Sequence, residues 1–178
     1  MTIRVSQANR GQAFEDLLNF TNLQYERAGV ALINKRPTPI KATKTKGSRV
    51  LAGYFEEKST VDYDGVYRGR AIYFEAKSTR ERTRFDLSNI SKHQIEHLEK
   101  AERNGALCFF LIEFAAYKAT YFVTLSFIRI AMMNAQNGGR KSIPLEDFEV
   151  YGYLVNQTKR AAVDYLVHVD KMIGEGAA

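Results

Sequence analysis

Asp62, Glu75 and Lys77 are the side chains whose types and spacing could do chemistry together. They lie in the segment Asp62-Tyr63-Asp64-Gly65-Val66-Tyr67-Arg68-Gly69-Arg70-Ala71-Ile72-Tyr73-Phe74-Glu75-Ala76-Lys77, which reads as one β-hairpin. With a two-residue loop at Arg68-Gly69, Tyr67 faces Arg70, and counting outward brings Asp62 opposite Glu75. Lys77 then shares their face, two residues along. Directly opposed residues have Cβ atoms about 4.5–5.5 Å apart, and like charges placed so are destabilising, so the two carboxylates need a cation between them. A hard divalent cation such as Mg²⁺ takes oxygen ligands and keeps several waters. That leaves a bound water beside the Lys77 ammonium and a place for a phosphate oxygen, which is the equipment for phosphodiester hydrolysis. A three-residue loop with a Gly bulge is the competing turn; it would pair Asp62 with Phe74 and break the site. The other face of the hairpin carries Val61, Tyr63, Ile72, Phe74 and Ala76, an apolar side fit for a core.

The elements that must position this hairpin fit within one domain. A chain of 178 residues, 45% of them hydrophobic, is long enough for a sizeable core and has the balance of a soluble globular protein. The longest apolar run, Ala106 to Ile112 and on to Tyr117, is interrupted by Glu113, so no span of a membrane is expected. Met1-Thr2-Ile3-Arg4 has no apolar core of a secretion signal, which points to the cytosol. The single cysteine, Cys108, sits inside Leu107-Cys108-Phe109-Phe110-Leu111 and reads as a buried hydrophobe, which excludes an internal disulfide or a thiolate cluster. A net charge of +6 favours a polyanionic partner.

Along the chain, apolar residues Ala13, Phe14, Leu17, Leu18, Thr21 and Tyr25 recur at three and four, predicting an amphipathic helix from Asn9 to Arg27 that ends at Gly29. Val30 to Asn34 is a short strand, stopped by Pro37 and Pro39. From Ile40 to Val50, Lys41, Lys44, Lys46 and Arg49 stand among small polar residues: a solvated loop, or an arm that enters nucleic acid. Arg80, Arg82 and Arg84 follow Lys77 directly. A helix is predicted from Ser91 to Arg103, with Ile95, Leu98 and Ala101 inward, and then a buried strand at Ala106–Phe114 with Thr120–Leu125 as its neighbour. Ser126–Ala135 is a further helix, Arg140-Lys141-Ser142 a second basic turn, and Tyr151–Val155 and Val163–Val169 read as two short extended segments before a frayed tail at 171–178. The fold class is therefore α/β, one domain over 1–178 with a central mixed sheet flanked by helices.

Competing chemistries are weaker. His93 and His97, four apart on one helix, have zinc-ligand spacing, but no Glu follows the first His and only His168 could be a third histidine ligand, so they read as surface residues. Asn137-Gly138-Gly139-Arg140-Lys141-Ser142 lacks the first glycine of a phosphate loop. Gln94, beside the inward Ile95, could reach a water or phosphate near the hairpin, or could be an ordinary boundary residue of the helix.

Taken together, Asn9-Arg10-Gly11, Lys35-Arg36-Pro37-Thr38-Pro39, Thr60-Val61-Asp62-Tyr63-Asp64-Gly65-Val66, Phe74-Glu75-Ala76-Lys77, His93-Gln94-Ile95-Glu96-His97 and Gly138-Gly139-Arg140-Lys141-Ser142-Ile143 resemble the RecU-type Holliday junction resolvases of Gram-positive bacteria and their phages. The resemblance runs in order from Asn9 to Asp170. It implies a restriction-endonuclease-like fold of the PD-(D/E)-x-K group, a homodimer using Mg²⁺ or Mn²⁺, and resolution of four-way DNA junctions by paired nicks. By motif, Asp62, Glu75 and the Ala76 carbonyl would hold the metal, Lys77 would be the lysine, Gln94 would match the family's helix block, and Glu15 would be the acidic residue brought from another element. The Pro37 to Leu51 segment resembles the family's stalk, which enters the junction's centre. Arg10, Lys41, Lys44, Lys46, Arg49, Arg80, Arg82, Arg84, Arg140 and Lys141 would contact DNA, and the tail and the Leu107–Phe114 region would supply the dimer interface. Val61 stands where the family has Thr and Asp64 where it has Asn, which would remove a hydroxyl beside the metal and add a third carboxylate to its face. The stalk is shorter and less hydrophobic than the family's, which sets against a recombinase contact through it. The alternatives are a nuclease of the same fold without junction preference and a non-catalytic DNA-binding module.

Overall fold

A computed structural model describes residues 11–55 and 60–175. Its elements are helices α1 (Gln12–Arg27), α2 (Lys92–Arg103), α3 (Leu125–Gln136), α4 (Leu145–Tyr151) and α5 (Leu166–Glu175). The strands are β1 (Leu32–Lys35), β2 (Ile40–Lys46), β3 (Arg49–Phe55), β4 (Tyr63–Tyr67), β5 (Arg70–Thr79), β6 (Arg84–Asp86), β7 (Leu107–Phe114), β8 (Ala119–Thr124), β9 (Ser142–Pro144) and β10 (Tyr153–Val155).

The centre is a sheet ordered β1-β4-β5-β7-β8-β10, in which β5 and β7 run parallel and the other neighbours antiparallel. Period-two alternation along its middle strands builds two cores. Ile72, Phe74, Leu107, Phe109 and Leu111 face one side and pack with Phe14, Leu18 and Tyr25 of α1 and with Tyr165, Leu166 and Val169 near α5. Cys108, Phe110 and Ile112 face the other side, against Ile95 and Leu98 of α2, Leu125 and Ile128 of α3, and Phe148 of α4. The expected α/β class, a mixed sheet with helices on both faces, is what forms.

The turn of the central hairpin has the two-residue form. Tyr67 pairs with Arg70, and both Arg68 (φ +48) and Gly69 (φ +72) take the left-handed conformation that a tight twisted hairpin needs. Gly65 allows the third strand to close in, since a Cβ there would sit 2.1 Å from the Leu32 carbonyl oxygen.

Several expectations fall. Val61 does not share the face of Tyr63 and Phe74; it is wholly buried in the α2-side core, because the chain bends at Thr60–Asp62 and leaves the ladder at Tyr63. Ala13 and Leu17 of α1 face solvent, while the polar Asn22 is buried and accepts a hydrogen bond from the Tyr165 hydroxyl. Val163–Val169 is not a strand: Leu166, Val169, Met172 and Ile173 repeat at helical spacing, and packing on the sheet makes 166–175 a helix, so 171–175 are helical and 176–178 of the expected frayed tail lie outside the described residues. Helix α4 was not foreseen; its one buried anchor is Phe148. β7 cannot supply a dimer surface, because β5 and β8 occupy both its edges and helices cover both its faces.

The basic projection is a two-stranded ribbon rather than an irregular arm. β2 and β3 pair antiparallel around a Gly47-Ser48 turn, every residue of both is exposed, and the ribbon reaches Phe55 rather than ending near Leu51. It also carries exposed Ile40, Val50, Leu51, Tyr54 and Phe55, so it is more apolar than the sequence segment up to Val50 suggests.

Candidate active site

The parallel pairing of β5 with β7 buries Glu75 completely, because its strand lies inside the sheet and its face is roofed by α2. A carboxylate taken out of water must be compensated. Three groups do so: the Lys77 ammonium at 2.6 Å from Oε1, the Gln94 amide donating to Oε1, and the Asp62 backbone N–H donating to Oε2 at 3.2 Å. Asp62 is tied back in turn, its Oδ2 accepting from the Ala76 N–H at 3.1 Å. The two acids therefore interlock, each carboxylate gripping backbone on the other's side. Burial, and next the Asp62 carboxylate, push the Glu75 carboxyl up to about 8, while Lys77 pulls the other way.

Gln94 is more than a boundary residue. It is buried at the third position of α2, where its Oε1 accepts from the Ser91 N–H at 3.0 Å and the Ser91 hydroxyl at 2.7 Å in a capping box. One amide thus fixes the helix start with its oxygen and Glu75 with its nitrogen.

Glu15 reaches the same region from α1. It lines an open cleft of about 520 Å³ with Asp62, Lys35, Arg36, Pro37 and Thr38, and its carboxylate is paired with Lys35. The third acid, Asp64, is neutralised by Arg36, whose Nη1 lies 3.1 Å from Oδ2 and whose backbone N–H donates to the Asp62 carbonyl at 2.8 Å. Its charge therefore falls to Arg36 rather than to the Asp62–Glu75 pair. A larger cavity of about 690 Å³ between α3, β9 and α4 holds none of these acids.

The Thr60 hydroxyl, two positions before Asp62, is buried and has no hydrogen-bond partner among the described residues. Among the described residues no three His, Cys, Asp or Glu side chains gather as a metal cluster, so the zinc reading of His93 and His97 has no support. His97 instead packs edge-on against Tyr73. Two carboxylates fit a hard cation, which accepts a small protein donor set and completes its shell with water and phosphate oxygens.

The basic residues divide. Lys44, Lys46 and Arg49 are exposed on the ribbon with Lys41; Arg80 is exposed just past the end of β5; Arg82 lies over the Tyr117 ring; Arg84 pairs with Asp86. Arg140 and Lys141 are exposed ahead of β9, and Arg10 lies outside the described residues.

A six-stranded mixed sheet with two interlocked acids and a lysine on its interior strands defines an α/β protein with one acidic cluster at its centre. The family model described as Recombination protein U matches residues 9–171. Holliday junction resolvase RecU of Geobacillus kaustophilus (strain HTA426) is 40% identical over 171 residues, covering 93% of this chain and 85% of the relative. The protein of the same name from Streptococcus gordonii is 40% identical over 172 residues, covering 94% and 85%. Among solved structures, that of Hjc, a Holliday junction resolvase from Archaeoglobus fulgidus, aligns with a TM-score of 0.45 at 12% identity over 79% of this chain and 94% of that one. The chain belongs to the RecU family.

The raised Glu75 value has a consequence for stability. A carboxyl that binds its proton more tightly when folded stabilises the fold fully below its ordinary value of 4.5 and loses that contribution as pH rises to about 8. The loss is at most about 1.4 kcal/mol per pH unit. Glu75→Gln, which cannot ionise, is expected to melt progressively higher relative to the wild type as pH is raised from 5 to 8 in a chelator. A difference in melting temperature that stays flat with pH would refute it.

Proposed function

We propose that this chain is a metal-dependent endodeoxyribonuclease that resolves four-way DNA junctions by paired symmetric nicks. The observation that carries the reading is the interlocked Asp62–Glu75 pair with Lys77 and Gln94, in a chain aligned over nearly its whole length with proteins named Holliday junction resolvase.

Asp62, Glu75 and the Ala76 carbonyl would hold Mg²⁺ or Mn²⁺. When bound, the ion supplies Lewis acidity at the phosphate and makes water a better nucleophile. Lys77 orients the attacking water and stabilises charge gathering on the phosphate. Gln94 holds Glu75 in position through the start of α2, and Glu15 contributes its charge from across the cleft. Arg10, Arg80, Arg82, Arg84, Arg140 and Lys141 grip the DNA backbone, and Lys41, Lys44, Lys46 and Arg49 carry the ribbon's share. The whole of 1–178 acts as one nuclease domain in the cytosol of a bacterium or of a phage-infected host.

Incubating the protein with labelled duplex and labelled four-way junction, with and without Mg²⁺, tests this reading. Metal-dependent cutting of the junction alone is expected; equal cutting of duplex would leave only a nuclease of the same fold, and binding without cutting only a DNA-binding module. Asp62→Asn or Glu75→Gln should abolish cleavage with junction binding intact in a gel shift, and Gln94→Ala should slow it roughly 10- to 100-fold. Wild-type turnover by either acid variant would remove the assignment.

The ribbon is proposed to choose the substrate. Phosphate contacts carry affinity but little sequence information, whereas an arm fitting only the open centre of a junction reads shape. Replacing Lys41, Lys44, Lys46 and Arg49 together by alanine should weaken junction binding more than duplex binding and flatten its salt dependence by up to about 0.9 per lost contact. Unchanged preference for junction, in competition at one fixed salt, would reduce the ribbon to a solvated loop.

The working unit is proposed to be a homodimer with twofold symmetry, since two matching cuts need two equivalent sites. Light scattering should give twice the chain mass at concentrations where the protein resolves junctions; monomer mass with full activity would contradict it.

A further inference from the structure

At the same end of the sheet as Lys77, an exposed aromatic ring is braced by a cation. The turn 115–118 joins β7 to β8, and its Ala115 N–H donates to the Thr79 carbonyl at 2.9 Å. Thr79 is two residues beyond Lys77, a separation of about 7 Å along a strand. The turn is closed by its own bonds, Tyr117 N–H to the Phe114 carbonyl at 3.0 Å and Lys118 N–H to the Ala115 carbonyl at 3.3 Å. It is therefore a firm support and not a loose loop.

Tyr117, on this turn, keeps 48% of its surface exposed. The Arg82 guanidinium carbon lies 5.5 Å from the ring centroid, a cation–π contact that holds the ring and sets a positive charge beside it. Lys118 next to it is exposed and sits at φ +51, a conformation that costs any residue with a Cβ and that glycine adopts freely. Chain reversal alone would favour glycine there and would require no ring. Arg80 is exposed between Thr79 and this cluster in sequence. An exposed ring flanked by cations, anchored to the strand that carries Glu75 and Lys77, has the two components by which proteins hold a single-stranded nucleotide: a stacking face and a charge for its phosphate.

We propose that Tyr117, braced by Arg82 and accompanied by Lys118, is a stacking platform for an unpaired or unstacked nucleobase of the DNA strand entering the Asp62–Glu75–Lys77 cluster. The proposal rests on the nuclease reading above. When a junction is held open, a base at the exchange point loses a stacking neighbour, and the tyrosine ring replaces it. Stacking tolerates every base because each has a π-face, so the platform selects an opened structure rather than a sequence, and it acts beside the cut, whereas the ribbon projects away from the sheet.

The test uses the full chain with Ca²⁺ in place of Mg²⁺ and four-way junctions carrying 2-aminopurine at successive positions around the cleavage point. Wild type should change the fluorescence at one position and bind the junction. Tyr117→Ala should lose that change and raise the Kd roughly 5- to 100-fold, the effect of one stacked base, with an unaltered melting temperature. Tyr117→Phe should keep both the fluorescence change and the affinity. Lys118→Gly should melt higher than wild type yet bind more weakly, separating backbone strain from the role of its charge. Wild-type affinity and an unchanged fluorescence pattern in Tyr117→Ala, on a junction that wild type binds, would overturn the platform while leaving the nuclease reading standing. Failure of wild type itself to bind or cut junctions would bring down that reading and the platform with it.

Discussion

The carboxylate of Glu75, with none of its side chain exposed to water, is the constraint on which the rest of this structure turns. An unpaired buried charge costs far more than any single packing contact returns, so the surroundings must supply it with donors from several directions. The hairpin supplies the Asp62 N–H, the same strand supplies Lys77, and the helix above supplies Gln94. These three sources belong to separate pieces of chain, and their convergence is what aligns α2 over β5.

Gln94 shows how closely folding and site are coupled. The residue that completes the capping box of α2 is the one that holds Glu75. A helix start usually spends such an amide on its own orphan donors; here its oxygen does that work and its nitrogen is left for the acid. The helix cannot drift along the sheet without releasing the carboxylate, so the position of the acidic group relative to Asp62 is held by secondary structure rather than by loops. The arginine at position 36 plays a comparable part on the other flank, holding the Asp62 carbonyl through its backbone and Asp64 through its side chain.

Around this rigid centre the exposed parts differ in character. The ribbon contributes nothing to the core, since all of its residues are exposed, and its basic and apolar side chains are free of the packing demands that shape the sheet. Arg82 and Tyr117 are likewise exposed but are braced against each other and tied to the end of β5. Rigid acids thus sit inside the sheet, and basic and aromatic groups stand around its rim.

Much of this was legible in the order of residues. Alternation along 62–77 places Glu75 and Lys77 on one face and Ile72, Phe74 and Ala76 on the other, because a strand has a period of two; the apolar run at 106–114 reads as an interior strand; and Ser91 reads as the start of a helix. The two-residue register brings Asp62, Glu75 and Lys77 together, and alternation alone does not select that register over the three-residue one. What the sequence left open was decided by contacts between distant segments. Whether the turn held two residues or three depended on Arg68 accepting a left-handed backbone, which the Arg68–Asp170 ion pair and the stacking of Arg68 on Tyr67 help to hold. The bend that sends Val61 into the opposite core and buries the Thr60 hydroxyl without a partner among the described residues follows from where the ladder ends, not from alternation. Residues 163–169 carry branched side chains that alternate as a strand would, and only the sheet beneath them, by burying Leu166 and Val169 on one face, makes the chain helical from Leu166 onward. Local pattern fixes which way a side chain points within its own element; burial and pairing with remote chain determine which element forms and what that side chain meets.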